Sequence, residues 1–464
     1  MAVRTPWWRS TATSSTGRPS TPRCAATSRG ARPSSRRHGA PGWPPLQACQ
    51  SRGVDTAPAA RRIALGTVVI GLAAFVLIAA SRVPWEPFPG GMPKPVSDRS
   101  VFTFSEIERA EHYARWARTW SWSSLVVSLA VACWLGFSRR GREWAERVPG
   151  WWWVRIVLVV AALTVVGRVV TLPFGIAQRT LALDEGLAAG SWADWTIDVV
   201  KGELVSVVTT SLAVVALVGC VRRWPRAWPA VAGGVAAVLV VLGSFVYPVL
   251  VEPVFNHFES LPDGPLRTEV LALADREGVA VDDVLVADAS RRTTTLNAYV
   301  SGFGHTRRVV LYDNLVDGTP RDEVLSVVAH ELAHAKHGDV VTGTALGAAG
   351  ALLGVGLLGL VMVGDCRRDL RSAGAVPCLL AVVALATLTT APIQNGISRK
   401  LEARADETAL EQTNDPQAFV ALQRRLALRS HADPTPPAWS QFWFGSHPTV
   451  LQRIGMARAT AVRE

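Results

Sequence analysis

The 464-residue sequence is almost without lysine, 4 residues against 44 arginines. Together with its Ala, Val and Gly load this points to a GC-rich, bacterial genome. It holds six cysteines and no CxxC pair, which excludes a disulfide framework and a cysteine zinc site. It lacks the short apolar core and small-residue cleavage site of a secretory signal, and no internal repeat is visible. Charged residues make up only 18%, too few for a soluble protein of this length. Although the net charge is +11, much of the excess lies in the first 62 residues and in short loops. Membrane orientation explains that placement better than nucleic-acid binding does.

What the chain has instead is apolar length. Runs long enough to cross a hydrocarbon core of about 30 Å recur at 63–80, 120–137, 153–172, 204–221, 230–251, 341–363 and 376–395. Ser121, Trp122 and Ser123 dilute the second. Of the 18 tryptophans, Trp151, Trp152, Trp153, Trp224 and Trp228 sit beside span ends, as an interfacial belt does. Arg155 and Arg168 fall inside the third run. They are costly in lipid and are expected to face the protein interior or water.

These runs divide the chain into five segments. Residues 1–60 read as a disordered basic arm, or as the product of a start codon placed too early. Residues 61–251 carry five spans, 252–340 form a catalytic segment, 341–395 carry two spans, and 396–464 form a helical tail. The arm, Arg139 to Arg147, Arg222 to Arg226 and Arg367 to Arg371 are basic, so these ends are assigned to the cytoplasm. The loop with Asp184, Glu185, Asp194 and Asp198, the 252–340 segment and the tail then face away from it. Within 252–340 the pattern predicts a helix over 265–278, a strand over 284–287 and a hairpin of 297–301 with 308–312. A further helix is predicted to start with Thr319 as cap, Pro320 in its first position, and Asp322 and Glu323 at its positive end.

That last helix carries Val328-Ala329-His330-Glu331-Leu332-Ala333-His334. Two histidines four apart share a helix face and can chelate one ion, with Glu331 beside them. Zinc suits such a set and keeps a fourth position for water; the metal lowers the pKa of that water, and a glutamate can take its proton. Chance would place HExxH in roughly one such chain in a hundred, so context must carry the rest. The metzincin pattern needs histidine at position 340, which is Val340. The best third ligand is Glu402 in Leu401-Glu402-Ala403-Arg404-Ala405-Asp406, on a helix continuing from the seventh span. Glu402 and Asp406 share a face, so one can bind metal while the other accepts a proton from a ligand imidazole. His337 lies too far along its helix to share the ion, and is read either as a partner standing behind a ligand or as structural.

Over residues 63–460 the chain resembles the integral-membrane zinc proteases of the type I CaaX prenyl protease family. The likeness rests on seven spans, Asn297-Ala298-Tyr299, the HExxH helix between spans five and six, Glu402-x-x-x-Asp406, and His447-Pro448. It implies His330, His334 and Glu402 as ligands of one zinc per chain, Glu331 as base and Asp406 as partner of a ligand. The implied fold is mainly α: a polytopic, seven-helix, barrel-like transmembrane bundle enclosing a water-filled chamber, with a small α+β zincin-like catalytic domain. Asn297 to Val300, with Ala298 and Tyr299, is expected as an edge strand that pairs with an extended peptide. His447, with Arg453 nearby, is expected to stabilise the oxyanion.

The resulting expectation is an endopeptidase in a bacterial cell membrane, acting on membrane-associated, CaaX-like or exported polypeptides from the extracytoplasmic side. Its partners are an extended peptide or protein substrate and the bilayer, with no nucleic acid. The competing readings are a multi-pass transporter, which the missing repeat disfavours, and a silent scaffold, which the intact ligand set disfavours.

Overall fold

The computed structural model describes residues 57–463 apart from 89, 303 and 363–368. The basic arm up to residue 56, with Arg367 and Arg368, therefore lies outside the described residues. Residues 57–60, assigned to that arm, already form the first turn of helix α1 (Ala57–Arg82). There follow α2 (Phe104–Phe137), the short α3 (Arg139–Arg147), α4 (Trp152–Asp184), α5 (Trp192–Arg223) and α6 (Trp228–Val246). The helical path of α6 continues through a π turn to Phe255. Among the described residues, seven helices are long and apolar enough to cross a membrane: α1, α2, α4, α5, extended α6, and two later ones, Asp339–Met362 and Ala373–Thr413.

The second span is longer than its apolar run suggests. A capping box at Thr103 and Glu106 starts α2 well before residue 120, so its polar first half is helix that extends beyond the apolar stretch. Trp151, Trp153 and Trp224 are exposed as a belt requires, but Trp228 is buried in the core. Arg168 pairs with Glu203 of α5, and Arg155 bonds the Glu146 carbonyl near the start of α4. Each costly guanidinium thus has a partner within the protein.

Between the fifth and sixth spans lies a compact α+β unit. It contains β1 (Phe258–Ser260), α7 (Pro265–Glu277), β2 (Asp283–Ala287), β3 (Ala298–Ser301), β4 (Arg308–Tyr312), α8 (Asp313–Gly318) and α9 (Arg321–His337). The expected hairpin is present: β3 runs antiparallel to β4. The sheet order β1-β2-β4-β3 adds a parallel β2–β4 pair, and the three-residue β1 was not apparent from its composition. β3 is an edge strand, with α9 packed beside it. One apolar core joins Ala298, Val309 and Leu311 of the sheet to Leu273 of α7 and to Val324, Val328 and Leu332 of α9. The start of α9 differs from expectation, because Pro320 is its cap and the Thr319 hydroxyl is buried without a partner. A proline at that position ends the preceding extended segment, and no side-chain cap is formed.

The chain then returns to the spans as α10 (Asp339–Met362) and α11 (Val376–Thr413), and ends in α12 (Pro416–Ser430), α13 (Ala438–Phe444) and α14 (Val450–Arg463). Neighbouring spans form a ring: α1 with α10, α10 with α6, α6 with α5, α5 with α4, α4 with α2, and α2 with α11. Ala79, Val83, Leu346 and Ile397 close it by joining α1, α10 and α11. α11 is a single helix of 38 residues, about twice what a bilayer needs, so its second half leaves the ring and enters the α+β unit.

Candidate metal centre

α9 and the second half of α11 face each other, and everything chemical lies between them. His330 and His334 are one turn apart on the buried face of α9, and their Nε2 atoms are 3.2 Å from each other. Glu402 of α11 brings Oε2 to 3.2 Å from His330 Nε2 and 3.7 Å from His334 Nε2. These three residues are a group that could hold a metal ion, their ligand atoms all lying within 4.8 Å of one another. Glu402 Oε2 is buried and accepts no hydrogen bond, although three imidazole nitrogens stand close to it. Leaving a buried carboxylate oxygen unpaired is costly. An ion bound between the three atoms removes that cost, so the donor set fits a metal.

Behind the nitrogens stand two buried carboxylates. His330 Nδ1 is 2.9 Å from Asp406 Oδ1, and His334 Nδ1 is 2.8 Å from Asp339 Oδ2. Each aspartate is in turn held by an arginine: Arg453 Nε donates to Asp406 Oδ2 at 2.8 Å, and Arg404 bonds Asp339. A carboxylate on Nδ1 fixes the ring and turns Nε2 toward the ion. Burial opposes protonation of both histidines, but the carboxylates outweigh it, raising His330 and holding His334 up to about 10. The cluster is therefore short of positive charge, as a metal site is before its cation is counted.

Sequence reasoning missed Asp339 and Arg404. Asp339 opens α10 directly after Gly338, whose left-handed conformation (φ 67°) ends α9 and reverses the chain toward His334. Only the offset of five residues from His334 could have pointed to it, and no helical periodicity marks that offset. His337 bonds Thr408 of α11 at 3.0 Å, tying the two site helices together. Glu323, expected to act on the helix dipole, also pairs through both oxygens with Arg425 of α12.

The remaining candidates are distributed as follows. Glu331 is half-buried on α9 beside its two histidines. His447 places Nε2 at 3.2 Å from Glu402 Oε2, and its Nδ1 meets the Ser446 hydroxyl at 2.9 Å. His447 keeps one side open to solvent, yet the protein packed around its ring desolvates the imidazole and holds it below its ordinary pKa, against the pull of Glu402. Its loop is fastened by Gln441 to the His447 carbonyl (2.7 Å), and from α11 by Arg399 to the Gln441 and Gly445 carbonyls and Asn395 to the Trp443 carbonyl. Arg453 lies behind His330, committed to Asp406, and is only 13% exposed. Asn297 is exposed at the start of β3. Ala298 packs toward α9, and Tyr299 toward the opposite face of the sheet.

Two histidines of an HExxH helix and a glutamate of a second helix, together able to hold a metal, set beside the edge strand of a small sheet and beneath seven membrane-capable helices, define a membrane metalloendopeptidase. Two family models match in succession: the CAAX prenyl protease N-terminal domain of five membrane helices over residues 92–257, and peptidase family M48 over 260–461. Together the two matches span residues 92–461, and the chain is similar over that length to the M48 metallopeptidases of the CAAX prenyl protease type. A metalloprotease of Bacillus subtilis, YhfN, is 28% identical over 69% of this chain and 77% of its own. A CAAX prenyl protease 1 homolog of Oryza sativa is 27% identical over 64% and 71%. The crystal structure of S. mikatae Ste24p superposes with a TM-score of 0.68 at 20% identity, over 85% of this chain and 98% of that one. That likeness establishes the fold, a seven-helix barrel around a membrane chamber, as the sequence led us to expect. Nothing favours the transporter or scaffold readings.

Proposed function

We propose that the metal is zinc, one per chain, held by His330, His334 and Glu402, and that the enzyme cuts extended polypeptides at the membrane. The observation that carries this is the unpaired Glu402 Oε2 facing two Nε2 atoms. Two nitrogens, one carboxylate oxygen and an open fourth position are what catalytic zinc takes. When bound, zinc acidifies a water and polarises the scissile carbonyl. Glu331 takes the proton of that water and delivers it to the leaving amine. Asp406 and Asp339 keep the two imidazoles aimed, while Arg453 favours the ionised form of Asp406 and Arg404 holds Asp339 in place. His447 turns Nε2 toward the site and Nδ1 toward the Ser446 hydroxyl, and in the tautomer protonated on Nε2 it donates to the oxyanion that develops on the carbonyl.

Substrate recognition follows from β3. Its outer edge carries backbone groups on which an extended peptide adds as a further strand, and the exposed Asn297 side chain bonds a substrate carbonyl. The loop of Asp184 to Asp198 joins the catalytic unit through the Asp198–Arg292 pair (2.5 Å) and the Ala188–Thr293 bridge. Acidic loop and catalytic unit thus share one end of the barrel, opposite the arginine-rich end. In a bacterial cell membrane the positive-inside rule then supports an active site on the extracytoplasmic side. Membrane-associated or exported polypeptides then fit as substrates, with CaaX-like tails the further candidate suggested by the named relatives.

Metal analysis of detergent-purified protein should give one zinc per chain. Glu331→Gln should abolish hydrolysis and keep the zinc, whereas Glu402→Ala should lose both. Full zinc occupancy and full activity in Glu402→Ala would refute the ligand set.

A further inference from the structure

The end of the barrel remote from the metal carries a feature that hydrolysis does not use. Helix α3, Arg139–Arg147, connects the second and third spans; Ser138 caps it, and Gly141 and Ala145 are buried against the protein. The opposite face, at helical spacing, presents Arg139, Arg140 and Arg147 together with exposed Trp144. Exposed Arg222, Arg223 and Arg226, at the junction of α5 and α6, lie at the same end because their spans run antiparallel to their neighbours.

The acidic residues of α3 are already committed, Glu146 to Arg142 and Glu143 to Arg147. Among the described residues, Arg139, Arg140, Arg223 and Arg226 face no carboxylate within ion-pair distance. Arg222 and Arg223 lie over the rings of Trp152 and Trp224, at 5.2 and 5.5 Å from the ring centroids. Exposed Trp151, Trp153 and Trp224 mark the same level as interfacial. A packed, capped helix lying at span ends, with unpaired arginines among interfacial indoles, has the make-up of a headgroup platform rather than of a solvated loop.

We propose that this face binds the headgroups of anionic phospholipids, with α3 lying on the leaflet and Arg139, Arg140, Arg223 and Arg226 pairing with phosphodiesters. Arginine forks suit phosphate oxygens, and each guanidinium sits where an anionic leaflet concentrates negative charge. The contact anchors the barrel at the end opposite the catalytic unit, and it does not depend on the metal.

Native mass spectrometry of the full chain, from detergent holding equal phosphatidylglycerol and phosphatidylcholine, reads the preference directly. Wild type should retain roughly fivefold more phosphatidylglycerol. The Arg139→Gln, Arg140→Gln, Arg223→Gln, Arg226→Gln variant should retain the two alike, with peptide hydrolysis in detergent unchanged. The corresponding four-lysine variant should keep the preference, which separates lost charge from lost folding. Equal retention by wild type, an undiminished preference in the glutamine variant, or displacement of the lipid by millimolar inorganic phosphate would overturn the proposal.

Discussion

Asp339 holds His334 as Asp406 holds His330, so the two ligand histidines are supported alike by a carboxylate and an arginine. Asp339→Asn should therefore lower zinc affinity by about 10–100-fold, measured by chelator competition, while the fold persists. An unchanged affinity would mean that Asp339 does not orient the ring. A second residue-scale effect concerns Glu277, at the end of α7. Both its oxygens are buried without partners, and burial pushes its pKa up to about 7 against Lys336 and Arg276. The folded state holds this proton more tightly than the unfolded chain does. Stability from this group is thus greatest below the ordinary carboxylate pKa and is lost as pH rises toward 7. The loss is on the order of 2–3 kcal/mol. Thermal unfolding between pH 5 and 8 should show this decline, and Glu277→Gln should flatten it.

At the scale of elements, α11 is the decisive piece. One uninterrupted helix closes the barrel through Ile397, brings Glu402 beside His330 and His334 and positions Asp406 behind His330. Its partner α10 packs on α1 by close backbone approach. A Cβ on Gly356 would stand 2.8 Å from the Val68 amide nitrogen, so a larger residue must push the helices apart. Gly356→Leu should destabilise the extracted protein by about 1–3 kcal/mol, read as a lowered melting temperature. An unaltered melting temperature would show that this contact is not kept in the membrane protein. The spans, the hairpin and α9 were legible because hydropathy and periodicity are local signals. β1 was not, since three residues set no pattern and their strand state comes from pairing with β2. The Thr319 cap failed for a related reason, because Pro320 took the capping position.

For the whole molecule, the arginine-rich end and the catalytic end are separated by the length of the spans. Alkaline phosphatase fused after Pro262 or at the C terminus should be active in bacterial cells, and green fluorescent protein at the same sites should stay dark. The reverse pattern would place the active site in the cytoplasm and favour cytosolic CaaX-like substrates.

The sequence alone determined the seven spans, the HExxH helix and the three side chains of the group that could hold a metal, because bilayer thickness and helix pitch impose fixed lengths and spacings on any chain that obeys them. Only the tertiary structure decided that Asp339 and Arg404 complete the second histidine's support, and that Arg453 serves Asp406. It also decided that the His447 loop is fastened to the helix carrying Glu402. Apart from the five-residue step from His334 to Asp339, these contacts join residues 42 to 65 positions apart, and no local periodicity records any of them.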